Sequence, residues 1–154
     1  MDEKRRLLRH FLATLAYRTN KAIEGAPPDF AVFSPGAGVR TPLEILHHMT
    51  GLLRWIHNLM SGEAWVKAPK PAWEEAVAQF YHGLHVVDHD LEAGTEAGGV
   101  KTLEQLLQGP FADAMTHAGQ LALLRRLAGS AVPGQDFTLA EIQLGVFAGD
   151  PQAR

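Results

Sequence analysis

Asp113 and His117 are the two side chains whose types and spacing most directly suggest chemistry. They stand one helical turn apart in the segment DAMTHAGQ, so in a helix a carboxylate and an imidazole can reach the same point in space. Both groups are ligands of divalent metals such as Zn²⁺, Fe²⁺, Ni²⁺ and Mn²⁺. Because the chain has eight histidines and no cysteine, any metal site must be built from histidines and carboxylates.

The direction of a side chain around its helix axis separates inward from outward residues, because successive residues are rotated by about 100°. The apolar side of the last long predicted helix is formed by Leu121, Leu124, Leu127 and Ala128. Asp113 and His117 fall on that side, and Gln120 lies a little further round. We expect the pair to face the core, where an ionised group needs a partner or a metal. A purely structural Asp–His hydrogen bond, or a wet opening at the end of the bundle, is the alternative.

A metal site needs a third ligand, and the second predicted helix offers His47 and His48. Relative to the apolar stripe of that helix, His47 points to the opposite side and is expected in solvent, whereas His48 can face inward. The predicted ligands of one divalent metal are therefore His48, Asp113 and His117, with Gln120 placed to orient one of them.

A second histidine cluster lies in the segment YHGLHVVDHD, where His82, His85 and His89 form one row on a helix. This row lies opposite the apolar residues Leu84 and Val87, so we expect it to face solvent or a partner subunit. Weak metal binding by the row is the alternative. His10 and His57 belong to no cluster in the sequence.

Four predicted helices must position these groups. The first ends at Ile23, the second runs from the N-cap Thr41 to about Met60, and the third spans Trp73 to Leu91. Residues 26–40 form a long connection.

Thr102 begins a short helix that Gly109 and Pro110 should break or kink, and the last long helix continues from Pro110 to Leu127. Residues 130–154 form a tail that packs as a short helix or lies extended. The predicted fold is an all-α four-helix bundle with a short extra helix and an irregular C-terminal tail, in a single domain over residues 1–154.

The composition excludes several classes of function. The net charge is −3, so no positive field attracts nucleic acid or anionic lipid. No run of about 18 apolar residues encodes a membrane span, and the charged start MDEKRRLLRH does not fit a signal peptide. We expect a soluble, cytoplasmic protein that binds neither nucleic acid nor membranes.

Two segments resemble the DinB/YfiT-like proteins. TPLEILHHMTGLLRW, residues 41–55, is similar to the second helix of that family, and the family's metal-binding histidine corresponds to His48. DAMTHAGQLALLRRLAG, residues 113–129, resembles the last bundle helix, whose motif is H-x-x-x-H-x-G-Q. His117, Gly119 and Gln120 match that motif, and Asp113 stands at its first histidine. The three-histidine pattern of the family thus becomes two histidines and one carboxylate.

The resemblance implies a DinB-type bundle, often a homodimer, with one divalent metal. It also implies a metal-dependent enzyme, such as a transferase, isomerase or hydrolase, and some members act as S-transferases or isomerases with low-molecular-weight bacterial thiols. Two other hypotheses remain open. One is a metal-binding protein without turnover. The other is a structural interaction module, with the tail and the histidine row at a dimer interface.

Overall fold

The computed structural model describes residues 2–95 and 101–151, and within them the regular structure is entirely helical. The four long helices are α1 (Glu3–Ile23), α2 (Pro42–Ser61), α3 (Trp73–Ala93) and α5 (Ala112–Leu127), and α4 (Leu103–Leu106) is short. Single 3₁₀ turns occur at Phe30–Val32 and Phe137–Leu139. The all-α class is confirmed. In the part of the chain that is described, no helix is both long and apolar enough to cross a membrane.

The ends of the helices follow the capping signals in the sequence. Thr41 accepts a hydrogen bond from the backbone N–H of Glu44, and the Glu44 carboxylate accepts one from Thr41 N–H over 2.9 Å. Gly62 ends the same helix with a φ of 77°, which is the left-handed conformation that glycine adopts without strain. The position of His48 along α2 is therefore fixed by local signals.

The interruption expected at Gly109 and Pro110 takes the form of one wide turn. Residues Leu107–Phe111 are π-helical, and the N–H of Ala112 bonds the carbonyl of Leu107. The missing N–H of Pro110 is accommodated in this turn, so α4 continues through it into α5. Turns of this kind are frequent at functional sites, and Asp113 lies two residues after the end of this one.

Contacts along the chain give the directions of the helices. Phe11 packs edge-on to Phe111 with ring centroids 6.1 Å apart, and Arg125 donates to the carbonyl of Ala22 over 3.0 Å. The first half of α1 thus contacts the residues just before α5, and the end of α1 contacts the end of α5. The two helices therefore run in parallel. α1 also packs on α3, and α2 completes the ring between α3 and α5.

The linker of residues 62–72 between α2 and α3, called the crossover linker below, runs back along the outside of α2. Arg54 donates to the carbonyl of Val66 over 3.4 Å, and Lys70 lies 2.9 Å from Glu44 near the start of the helix. This return allows α3 to run parallel to α2, as in bundles with crossover connections. The crossover linker consequently covers part of the outer face of α2.

Polar contacts fix α1 and the C-terminal tail to α3. Arg9 and Asp88 form a buried bidentate pair with both N–O distances at 2.7 Å, which is the strongest geometry for such a pair. The tail lies on α3 as a mainly irregular segment, where the hydroxyl of Tyr81 donates to the carbonyl of Ala148 over 2.8 Å. Phe147 of the tail is buried, with 4% of its surface exposed.

Candidate metal centre

His48, Asp113 and His117 converge in the groove between α2 and α5. The two carboxylate oxygens of Asp113 reach the two histidines: Oδ2 lies 3.2 Å from Nε2 of His48, and Oδ1 lies 3.3 Å from Nε2 of His117. The imidazole rings are nearly perpendicular, with centroids 4.7 Å apart. One donor atom from each residue lies within 4.8 Å of the others, and such a group can hold a metal ion. In the described ranges, no other group of three or more meets this criterion.

Each of the three residues is placed by a different part of the fold. His48 lies on α2 downstream of the Thr41 cap, Asp113 is in the first turn of α5, and His117 is one turn later. Side-chain exposure rises from 10% for His117 to 34% for His48 and 46% for Asp113. The site is thus anchored by a buried imidazole and open to solvent at its carboxylate.

The exposure of Asp113 corrects the expectation that both α5 residues face the core. His117 does so, but the carboxylate lies at the mouth of the groove. Leu127, placed by periodicity on the same apolar side, is 55% exposed. Its position in the last turn of α5 explains this, because a stripe of apolar residues is buried only where another helix lies opposite.

The spacing of the donor atoms fits a small divalent ion. Bonds of about 2.0–2.1 Å from a tetrahedral zinc ion to nitrogen or oxygen place neighbouring ligand atoms roughly 3.3 Å apart. The carboxylate–imidazole separations of 3.2 and 3.3 Å match that value. Two neutral imidazoles and one carboxylate also form the donor set that Zn²⁺, Fe²⁺, Ni²⁺ and Mn²⁺ accept. The residues present therefore fit the metal that the sequence suggests.

Gln120 determines the tautomer of His117. The side-chain oxygen of Gln120 lies 2.6 Å from Nδ1 of His117, and an amide oxygen only accepts hydrogen bonds, so Nδ1 carries the proton. In a neutral ring, Nε2 is then unprotonated and directs a lone pair at Asp113 Oδ1, 3.3 Å away. Two acceptors facing each other repel, and the contact is favourable only with a proton or a metal cation between them.

His47 does not lie in solvent as expected. The residue is half-buried, and its Nδ1 atom is buried without a hydrogen-bond partner among the residues that the structure describes. Burial lowers the pKa of the imidazole, and the neighbouring Arg54, Lys70 and His48 lower it further. His47 lines one cavity with Trp65 and Lys67 of the crossover linker, so the linker shields part of the α2 face that periodicity assigns to solvent.

The histidine row on α3 is exposed as expected, and two of its members, His82 and His89, face outward. His85 is partly occupied by the tail, because its Nε2 lies 2.6 Å from the buried carboxylate of Asp150. Its ring also packs edge-on against Phe147. Within the described part of the chain, the row belongs to no metal-binding group.

Sequence reasoning missed a contact between His57 and Asp90. Nδ1 of His57 lies 2.7 Å from Oδ2 of Asp90, which is largely buried, and Nε2 lies 3.7 Å from Glu63. The pair joins α2 to α3. Its sequence signal is weak, because the two residues become neighbours only when α2 and α3 run in parallel.

Comparison of the chain with protein-family models, with curated protein sequences and with solved structures finds no match.

Proposed function

We propose that this protein binds one divalent metal ion through His48, Asp113 and His117, and that it is a metal-dependent enzyme of the DinB/YfiT-like type. The observation that carries the proposal is the convergence of donor atoms from His48, Asp113 and His117, in which Nε2 of His117 lies 3.3 Å from the Asp113 carboxylate while Gln120 holds Nδ1. A metal ion between them satisfies both groups. The resemblance of residues 41–55 and 113–129 supports the family.

Each residue at the site would contribute differently to binding the ion. His117 supplies a buried and rotationally fixed nitrogen, because Gln120 holds its other ring nitrogen. His48 supplies a second nitrogen from the facing helix. Asp113 contributes a negative charge, which reduces the net charge of a divalent site and so favours binding. A divalent metal in such a site acts as a Lewis acid that lowers the pKa of a thiol or a water molecule.

The open side of the groove favours catalysis over pure metal storage. The Asp113 side chain is 46% exposed and that of His48 is 34% exposed, so a substrate can approach from the carboxylate side. The resemblance suggests transfer or isomerisation that uses a low-molecular-weight thiol, in a homodimer.

Metal analysis of protein produced without a histidine tag tests the proposal. We expect about one equivalent of a divalent metal in the wild type and loss of that metal in His117→Ala. His89→Ala is the matched control, because His89 is exposed and carries no described contact. A stoichiometric metal content that survives in His117→Ala would refute the ligand assignment.

A non-catalytic metal staple is the second candidate function. The ligands come from both α2 and α5, so an ion would cross-link two helices that are distant in sequence. Thermal melts with and without chelator, compared with thiol-transfer assays on electrophilic substrates, separate the two functions. Metal-dependent transfer supports the enzyme, whereas a large fall in Tm on chelation without transfer supports the staple.

A further inference from the structure

A cavity of about 630 Å³ lies beside His48, between α2 and the crossover linker. Its volume falls in the range of small-molecule sites, about 300–1,000 Å³. His48 forms part of its wall, while neither Asp113 nor His117 does. His48 thus stands between the proposed metal site and this cavity.

Two indole rings provide the apolar walls of the cavity. Trp55 projects from α2 and is 41% exposed, and Trp65 of the crossover linker is 53% exposed. The Trp65 ring lies against Gly51 on α2, since a Cβ atom at that position would be 3.7 Å from its Cη2. Large aromatic surfaces left partly open around a concave site are typical of sites that bind flat apolar groups.

The charge of the cavity wall is positive. Arg40, Arg54 and Lys67 line it, and in the described part of the chain none of the three has a carboxylate partner. Arg54 only reaches the carbonyl of Val66. Glu44 is the single acidic residue of the wall, and Lys70 lies 2.9 Å from it. This concentration of unpaired cations is unexpected in a chain of net charge −3.

We propose that this cavity binds a small organic anion with a flat apolar body, such as an aromatic carboxylate or sulfonate. The indoles contact the apolar body, and the three cations hold the anionic group. Bound there, the anion lies against His48, at the edge of the proposed metal site. Its role as a substrate rests on the proposed function, whereas its binding depends only on the cavity.

The indole N–H signals in a ¹H–¹⁵N NMR spectrum test the binding directly. The chain has three tryptophans, and Trp73 packs on Phe30 and does not line this cavity. Titration with 2-naphthoate should shift the signals of Trp55 and Trp65 and leave that of Trp73 in place. The signals are assigned with Trp55→Phe and Trp65→Phe.

Probes of matched shape and opposite charge establish the role of the cations. We expect 2-naphthylmethylammonium to bind at least ten-fold more weakly than 2-naphthoate. Arg54→Gln should weaken naphthoate binding about two- to five-fold, the upper part of the range for one exposed charge pair. Arg6→Gln is the control, because Arg6 is exposed and lies outside the cavity. This variant should bind naphthoate with the affinity of the wild type.

The titration is repeated on chelator-treated protein and on His117→Ala. Persistence of naphthoate binding in both supports the cavity, and metal analysis of the same samples reports separately on the proposed metal site. Binding that requires the metal would overturn the cavity assignment, as would equal affinity for the two probes. Unmoved Trp55 and Trp65 signals at millimolar naphthoate would also overturn it.

Discussion

The side-chain oxygen of Gln120 lies 2.6 Å from Nδ1 of His117 and thereby decides which nitrogen of that imidazole faces the α2–α5 groove. With the proton held on Nδ1, the lone pair of Nε2 is directed at Asp113. Pre-orientation of this kind is common among histidines that bind metals, and loss of the outer partner typically lowers metal affinity by 10–100-fold.

Replacement of Gln120 should therefore weaken metal binding without removing a ligand. We expect Gln120→Leu to lower the affinity about 10–100-fold, because His117 is then free to rotate and change tautomer. Gln120→Glu should retain most of the affinity, since a carboxylate also accepts from Nδ1. Competition with a chromophoric chelator measures both variants. Unchanged affinity in Gln120→Leu would show that the hydrogen bond does not orient a ligand.

Substitutions at Asp113 should show how much of the metal affinity depends on the charge of this side chain and how much on its size. Asp113→Asn removes the negative charge at nearly constant size, and we expect a greater loss of affinity than in Gln120→Leu. Asp113→His restores the three-histidine pattern of the DinB/YfiT-like resemblance and should bind metal again. The exposed Glu141 provides the control Glu141→Gln. Stoichiometric, tight binding in Asp113→Asn would exclude the carboxylate as a ligand.

Removal of the metal should destabilise the protein. An ion present at about 1,000 times its Kd stabilises the native state by about 4 kcal/mol, which raises the Tm of a chain of this size by roughly 10 °C. Differential scanning calorimetry with and without EDTA measures the shift. His117→Ala should show no shift, and an equal shift in that variant would place the stabilising ion elsewhere.

Stability at high pH should depend on Tyr81. Burial raises the pKa of its phenol, and the carboxylates of Asp150 and Glu24 raise it further. Because the folded-state pKa exceeds the unfolded value of about 10, this contribution is complete below pH ~10 and is lost as the pH rises toward the folded-state pKa. The expected slope is about 1.4 kcal/mol per pH unit for one group.

Tyr81→Phe should therefore lower stability at neutral pH by about 1 kcal/mol, because the carbonyl of Ala148 loses its donor. It should also flatten the alkaline decline. Urea unfolding between pH 8 and 11 measures both effects. Tyr17, whose hydroxyl accepts from Gln135, gives the control Tyr17→Phe, which should retain the decline. A decline equally steep in Tyr81→Phe would contradict the role of burial.

Local sequence signals predicted the elements of the fold well. The capping box of Thr41 and Glu44 and the glycine Gly62 set the limits of α2, because each acts within one helical turn. The same box recurs at Thr102 and Gln105. Helical periodicity predicts that His48 and His117 both face inward. The two side chains indeed lie on facing sides of one groove, because both residues are at a place where two helices meet.

Features that depend on irregular segments could not be predicted in this way. The burial of His47 is produced by the returning crossover linker, and the contact of His85 with Asp150 is produced by the tail. Neither segment has a periodic pattern that fixes its path. The wide turn at Pro110 was likewise expected only as an interruption, because sequence alone does not show how a helix absorbs a missing N–H.

Anomalous diffraction at the zinc edge from crystals of the zinc-loaded protein tests the central claim most directly. We predict one strong anomalous peak within bonding distance of His48 Nε2, a carboxylate oxygen of Asp113 and His117 Nε2. The control is a data set from His117→Ala, in which the peak should be absent. A peak at His82, His85 and His89 instead, or none in the α2–α5 groove of the wild type, would contradict the proposed metal centre.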